Sequence, residues 1–227
     1  MTTTLITGAN RSLGYTTAQR LVAAGHDVIV AARDPQRGAQ AADELGARFV
    51  QLDVTDADSI RRAAEQVEHL YVLVNNAGNP GELVAPPEAT AAHLRPVFEV
   101  NVFGIVEVTH AFLPHLERST APVIVNVTSG MGSMAWTADP DRVESSLVNV
   151  TYSPSKAAVN MLTTQYARAL PRFRVNAVDP GYTATDFNGH NGTQTVEEGT
   201  DQIVAMAQVG PGGPTGTYTD RHGVVPW

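Results

Sequence analysis

The chain has 227 residues, a formal net charge of −8 and no cysteine, which excludes disulfides, a thiol nucleophile, Cys-ligated zinc and Fe–S clusters. Without a basic stripe such a chain is no nucleic-acid binder, because neutralising phosphates takes clustered cations. Its 43% hydrophobic share suits a soluble α/β protein, no apolar run approaches the roughly 20 residues of a membrane span, and MTTTLITGAN lacks the regions of a signal peptide, so no membrane partner and a cytoplasmic location are expected.

Short apolar runs rich in β-branched residues alternate with stretches of helical period, the pattern of βαβ units. Strands are expected at 2–7, 26–32, 47–53, 71–75, 122–128 and 173–179. They are continuous apolar runs, as parallel strands covered on both faces require. Helices are expected at 13–24, 36–45, 56–69, 90–117 and 153–170, with a weaker candidate at TVEEGTDQIVAMAQ. Thr55 and Asp58 suggest a capping box for the third helix, Ser153-Pro154 a cap and first-turn proline for the fifth, and Pro96 a kink in the fourth. The expected fold is one α/β domain over 1–227, a Rossmann-type doubly wound parallel sheet with helices on both faces. Two long irregular stretches, 130–151 and 182–217, follow strand carboxyl ends, where such sheets bind ligands.

The first strand runs into Thr7-Gly8-Ala9-Asn10-Arg11-Ser12-Leu13-Gly14. Glycines there let the chain turn off the strand and the helix pack close, and the helix N-terminus offers N–H groups to a pyrophosphate. A tight turn whose glycines serve only backbone geometry is the alternative. Strand two ends at Arg33, followed by Asp34 and Arg37, where an NAD site would place a carboxylate. An arginine fork meets a 2′-phosphate instead, so Arg33, with Arg11 from the turn, points to NADP(H) over NADH. A solvated loop charge is the competing reading, stronger for Arg37 than for Arg33.

Further along stand Asp53-Val54 after strand three, Asn75-Asn76-Ala77-Gly78 after strand four and Asn101 inside the fourth helix. Ser129 closes strand five, and Tyr152-x-x-x-Lys156 opens the next helix. Spacing of four puts Tyr152 and Lys156 on one face, where an ammonium lowers the pKa of a phenol. The histidines form no H-E-x-x-H, so no metal site is expected.

The octapeptide resembles the T-G-x-x-x-G-x-G motif of short-chain dehydrogenases/reductases, with Ser12 in place of the middle glycine. N-N-A-G, the N-x-x-G at Asn101, Ser129, Y-x-x-x-K and Pro180-Gly181-Tyr182-Thr183-Ala184-Thr185 match the same family from residue 2 to about 186. TGANRSLGY, AARDPQRG, the wide gap from Ser129 to Tyr152 and the tail GPTGTYTDRHGVVPW are most similar to its carbonyl-reductase-like members. The resemblance implies NADPH-dependent reduction of a small-molecule carbonyl, a ketone, aldehyde or quinone, to an alcohol. It implies catalytic roles for Ser129, Tyr152, Lys156 and Asn101. It implies dinucleotide contacts from Gly8, Asn10, Arg11, Ser12, Leu13, Gly14, Arg33, Asp53, Val54, Asn75, Ala77, Gly78, Tyr152, Lys156, Pro180, Gly181, Thr183 and Thr185. In the family Asn101 kinks its helix and holds a water relaying protons to Lys156.

Asp53 as a helix-entry turn residue is nearly as good a reading as Asp53 on the adenine. Sugar-nucleotide epimerases share Tyr-x-x-x-Lys, but they carry a substrate domain for which the 40-odd residues after Gly181 leave no room. An NADP(H)-sensing regulatory protein is the rival outside catalysis, although such proteins typically lose the Tyr or Lys. Substrate contacts are expected from 130–151 and 183–200, with Met131, Met134, Trp136 and Phe187 as pocket lining or as satellite core. The family contains dimers, tetramers and monomers, and the sequence chooses none of them.

Overall fold

A computed structural model describes residues 1–227. Its sheet is built from β1 (Thr3–Thr7), β2 (Asp27–Ala32), β3 (Arg48–Gln51), β4 (Val72–Asn75), β5 (Val123–Val127), β6 (Arg174–Val178), β7 (Tyr218–Asp220) and β8 (Gly223–Val224). The spatial order is β3-β2-β1-β4-β5-β6-β7-β8, parallel except for the final β7–β8 pair. The order reverses between β3 and β4, so β1 and β4 end side by side at the switch point where open α/β sheets hold ligands. Six strands stand where the apolar runs place them. β7 and β8, of three and two residues, have no such run and were not expected.

The continuous apolar runs have a direct physical cause. Alternate residues of one strand enter opposite cores: Leu5, Ile29 and Leu73 join one cluster of 17 buried residues, Ile6, Val30 and Val74 the other. The first core is covered by α3 (Ala57–Glu65), α5 (Gly104–Leu116) and α8 (Tyr152–Ala169). The second lies under α1 (Ser12–Ala23), α2 (Pro35–Leu45) and α9 (Val196–Ala207).

Three local expectations are corrected. Asp56, not Thr55, caps α3, its carboxylate accepting from the N–H groups of Asp58 and Ser59. α8 begins at Tyr152, one residue before Ser153, and Asn149 Oδ1 accepts from the N–H of Thr151 and Tyr152. The long fourth helix is α4 (Ala91–Phe98) and α5 joined by a π-helical turn, Glu99–Phe103. Pro96 sits within α4, and the break lies downstream around Asn101. The stretch Ala91–Leu116 is long and apolar enough by composition to cross a membrane, against the expectation of no such run. Here Val97, Ile105, Val108, Phe112 and Leu116 are buried inside the protein. The stretch 130–151 is also less irregular than expected, holding α6 (Met134–Ala138) and α7 (Val143–Ser146).

Candidate active site

The cleft at the switch point starts with the turn after β1. Gly8 adopts a left-handed backbone (φ 66°), which costs a glycine nothing. A Cβ on Gly14 would stand 2.5 Å from Gly8 O and from Asn76 Nδ2, so only glycine lets α1 approach this closely. Thr7 Oγ1 accepts from the N–H groups of Asn76 and Ala77, and Asn76 Nδ2 donates to Thr7 O at 2.8 Å and Gly8 O at 3.3 Å. The β1 and β4 ends are thereby locked into one floor, with Gly78 beside Asn101. Ser12 takes φ 47°, a glycine-like conformation that costs another residue about 1–2 kcal/mol. No side chain caps α1, so its first N–H groups stay available to an anion. The cradle fits a dinucleotide's pyrophosphate.

At the adenosine end a recess of about 220 Å³ is lined by Asn10, Arg11, Tyr15, Arg37, Gln40, Ala41, Glu44 and Asp186. Arg37 faces it with Arg11, whereas Arg33 is exposed and outside its lining. Both side chains are exposed, and Arg37 is also paired with Asp34 at 3.7 Å, so the recess adds Arg37 beside Arg33 and Arg11 as a candidate contact for a 2′-phosphate. Arg11 is paired with Asp186 at 3.3 Å. Asp53 takes up its turn role: Oδ1 accepts from the N–H and hydroxyl of Thr55 at the approach to α3. Val54 packs where a Cβ on Gly104 would fall, and Leu13 against Gly199 of α9. Asn75 does not face the cleft with its amide; it is buried and donates to Asn126 Oδ1 at 2.9 Å inside the sheet. The neighbouring Asn76 holds the turn instead.

Ser129, Tyr152 and Lys156 converge across β5 and the first turn of α8. The Ser129 hydroxyl faces the Tyr152 phenol closely enough to favour its ionised form, and Ser129 Oγ accepts from Met131 N–H at 3.3 Å. Lys156 Nζ lies 5.6 Å from the Tyr152 ring centroid and donates to Val127 O at 2.9 Å. Burial holds the Tyr152 pKa above the ordinary phenol value, outweighing the Ser129 hydroxyl that pulls it down, and the Asp179 charge adds to the rise. Burial also brings Lys156 down to about 8, against the opposing pull of Asp179. Asn101 is fully buried in the π-turn; Oδ1 accepts from Asn79 N–H at 2.7 Å, and Nδ2 donates to Asn79 O and Ser155 Oγ, both at 3.0 Å. Its amide is thus committed to the loop after β4 and to α8.

After β6, Thr183 donates its hydroxyl to Pro180 O at 2.9 Å, and Thr185 Oγ1 accepts from Phe187 N–H. Both threonines are buried, shaping the Pro180–Thr185 wall from within. Phe187 meets Tyr152 edge-on, with ring centroids 5.6 Å apart, so it is a cleft residue. Trp136 is satellite core: it packs against the cluster of Ala177, Tyr218 and Val225, with the Arg142 guanidinium 3.6 Å from its ring centroid. Met134 is exposed.

The family model for short chain dehydrogenases matches residues 2–195. The chain belongs to the short-chain dehydrogenase/reductase family. It is 36% identical over 224 residues to a short-chain dehydrogenase of Penicillium roqueforti, covering 91% of this chain and 88% of that one. It is 32% identical over 267 residues to a (+)-neomenthol dehydrogenase of Arabidopsis thaliana, covering 89% and 90%. The structure of salutaridine reductase from Papaver somniferum superposes with a TM-score of 0.82 at 26% identity, covering 96% of this chain and 99% of that one. The protein is accordingly an oxidoreductase of a family that binds a nicotinamide cofactor.

Within this family frame, sequence reasoning missed three residues that position the site. Asn76 was hidden beside Asn75 in one motif. Tyr218, buried on the unexpected strand β7, donates to Ser129 O at 2.6 Å. Asp179, at the end of β6, is a buried carboxylate facing Tyr152 and Lys156. Its signal was an acidic residue closing an apolar strand directly before Pro-Gly.

Proposed function

We propose that the protein is an NADPH-dependent reductase that converts a small-molecule carbonyl compound to an alcohol. The observation that carries this reading is the meeting of Ser129, Tyr152 and Lys156 in one cleft with the glycine turn and the Arg11–Arg37 recess. Gly8, Ser12 and Gly14 line the pyrophosphate cradle, Arg11 and Arg37 meet the 2′-phosphate, and Lys156 holds the nicotinamide ribose. The bound nicotinamide supplies the hydride that reduces the carbonyl carbon.

Ser129 donates a hydrogen bond to the substrate oxygen and so orients the carbonyl. Tyr152 transfers its proton to that oxygen, which keeps negative charge from building up there. Burial keeps the phenol protonated at neutral pH, the form from which it can donate. Lys156 then offsets the phenolate charge left on Tyr152. Asn101 fixes the floor and the first turn of α8 rather than touching the reacting atoms. The Phe187 ring and the segments 130–151 and 183–200 supply the substrate walls.

Tyr152→Phe tests the reading. NADPH oxidation across a panel of aldehydes, ketones and quinones should be abolished, with NADPH affinity within about threefold of wild type, since one hydroxyl rather than a binding wall is removed. Equal loss of both would make Tyr152 structural. Tight NADPH binding by the wild type without turnover of any panel member would instead favour a dinucleotide sensor.

A further inference from the structure

Asp179 is not assigned by the reading above, yet it sits between the two walls of the cleft. It follows the last residue of β6 and is 4% exposed. Oδ1 accepts from Gly181 N–H at 2.9 Å, at the start of the Pro180–Thr185 wall. Gly130, the residue after Ser129, packs against the other oxygen of this carboxylate, and its backbone N–H favours the ionised form. A Cβ on Gly130 would lie 3.0 Å from Asp179 Oδ2 and 2.8 Å from Glu144 Oε1, so the absence of a side chain there is what lets the carboxylates close in. From the other side Tyr218 grips Ser129 O.

We propose that Asp179 is a positioning residue whose ionised carboxylate, by joining the Ser129–Gly130 wall to the Pro180–Thr185 wall, holds Ser129 in register with the nicotinamide side of the cleft. The proposal rests on the reductase reading. A neutral acid or amide at this position has one good acceptor oxygen where the carboxylate has two, so either the Gly181 N–H loses its partner or a donor group is turned toward the Gly130 N–H. The buried N–H then lacks a partner and its segment relaxes.

The groups facing Asp179 make its charge conditional. Glu144 of α7, itself held by Arg142 through two bonds of 3.1 Å, and Asp220 at the end of β7 are like charges. Tyr152 and Lys156 face it from α8 and Tyr218 from β7. Behind it a hollow of about 10 Å³ is bounded by Gln194, Glu198, Gln202, Asp220 and Arg221. Burial, with smaller contributions from Asp220 and Glu144 and opposed by the two N–H groups, raises the Asp179 pKa to about 6. The sign is that of an acidic limb: the clamp is complete above this pH and is lost as pH falls through it.

The test compares wild type, Asp179→Asn and Asp220→Asn, with 4-nitrobenzaldehyde and 9,10-phenanthrenequinone as probe substrates and NADPH as reductant. Asp179→Asn should lower kcat roughly ten- to a hundredfold, the scale of a slightly misplaced reacting group, abolish the acidic limb near pH 6, and leave NADPH affinity within about threefold. Asp220→Asn should shift that limb to lower pH, and it decides the matter if Asp179→Asn fails to fold. Amide hydrogen exchange needs no substrate: Gly130 or Gly181 should exchange roughly tenfold faster in Asp179→Asn, the equivalent of one hydrogen bond. Wild-type kcat with an unchanged limb, or wild-type protection of both amides, overturns the clamp. Its failure is distinct from that of the reductase reading, in which wild type and Tyr152→Phe would be equally inert.

Discussion

Replacing Asn101 by Ala isolates what a polar side chain does in the middle of an apolar helix. The wild-type amide makes three bonds, of 2.7, 3.0 and 3.0 Å, two of them to the N–H and C=O of Asn79. Ser155 keeps a second partner, Tyr152 O at 2.6 Å, so the uncompensated loss falls on Asn79. Each buried group left without a partner costs about 1–3 kcal/mol; two groups on a partly buried residue come to roughly 2–4 kcal/mol. For a domain of this size about 2–4 °C of Tm accompanies each kcal/mol, so Asn101→Ala should melt roughly 5–15 °C below wild type in scanning calorimetry. Asn101→Asp should be no better, because it turns the donor toward Asn79 O and Ser155 Oγ into an acceptor and buries a charge. Melting of Asn101→Ala within about 2 °C of wild type would refute the assignment and return Asn101 to an ordinary helix residue.

Gly14→Ala forces a methyl group to 2.5 Å from Gly8 O, so α1 must move; a loss of about 1–3 kcal/mol of stability and weaker NADPH binding are expected by calorimetry and fluorescence titration. Arg11→Ala and Arg37→Ala should each lower the preference for NADPH over NADH by roughly tenfold or more; the ratio of the two Kd values measures this. Tyr218→Phe removes the 2.6 Å bond to Ser129 O and should cost about 1–2 kcal/mol and lower kcat with NADPH affinity unchanged, which denaturant melts and steady-state kinetics report.

How much of this was legible in the sequence depends on how far each signal reaches along the chain. Continuous apolar runs mark β1 to β6 because a residue covered on either face of a sheet must be apolar, whichever face it takes. The Thr7–Gly14 turn and the Tyr152–Lys156 spacing are local geometries of eight and five residues, so the types and intervals alone place them next to a strand end and on one helix face. Arg37 on the recess and Asn75 inside the sheet have one reason: chain position says which residue follows or closes a strand, and packing says where its side chain goes.

What remained for the tertiary structure is carried by residues distant in sequence. Tyr218 reaches Ser129 across 89 positions from a strand too short to leave a periodic trace. Phe187 leans on Tyr152, Arg11 pairs with Asp186, and the Asp179 carboxylate accepts from Gly181 N–H while packing against Gly130 of a separate loop. None of these pairs has a spacing that repeats or a composition that stands out. Length, charge and local pattern therefore determined six of the eight strands and the glycine turn, and singled out Ser129, Tyr152 and Lys156 as candidates. The folded chain alone decided which neighbours hold those residues in place, because a buried polar side chain is defined by partners that only the closed sheet brings within reach.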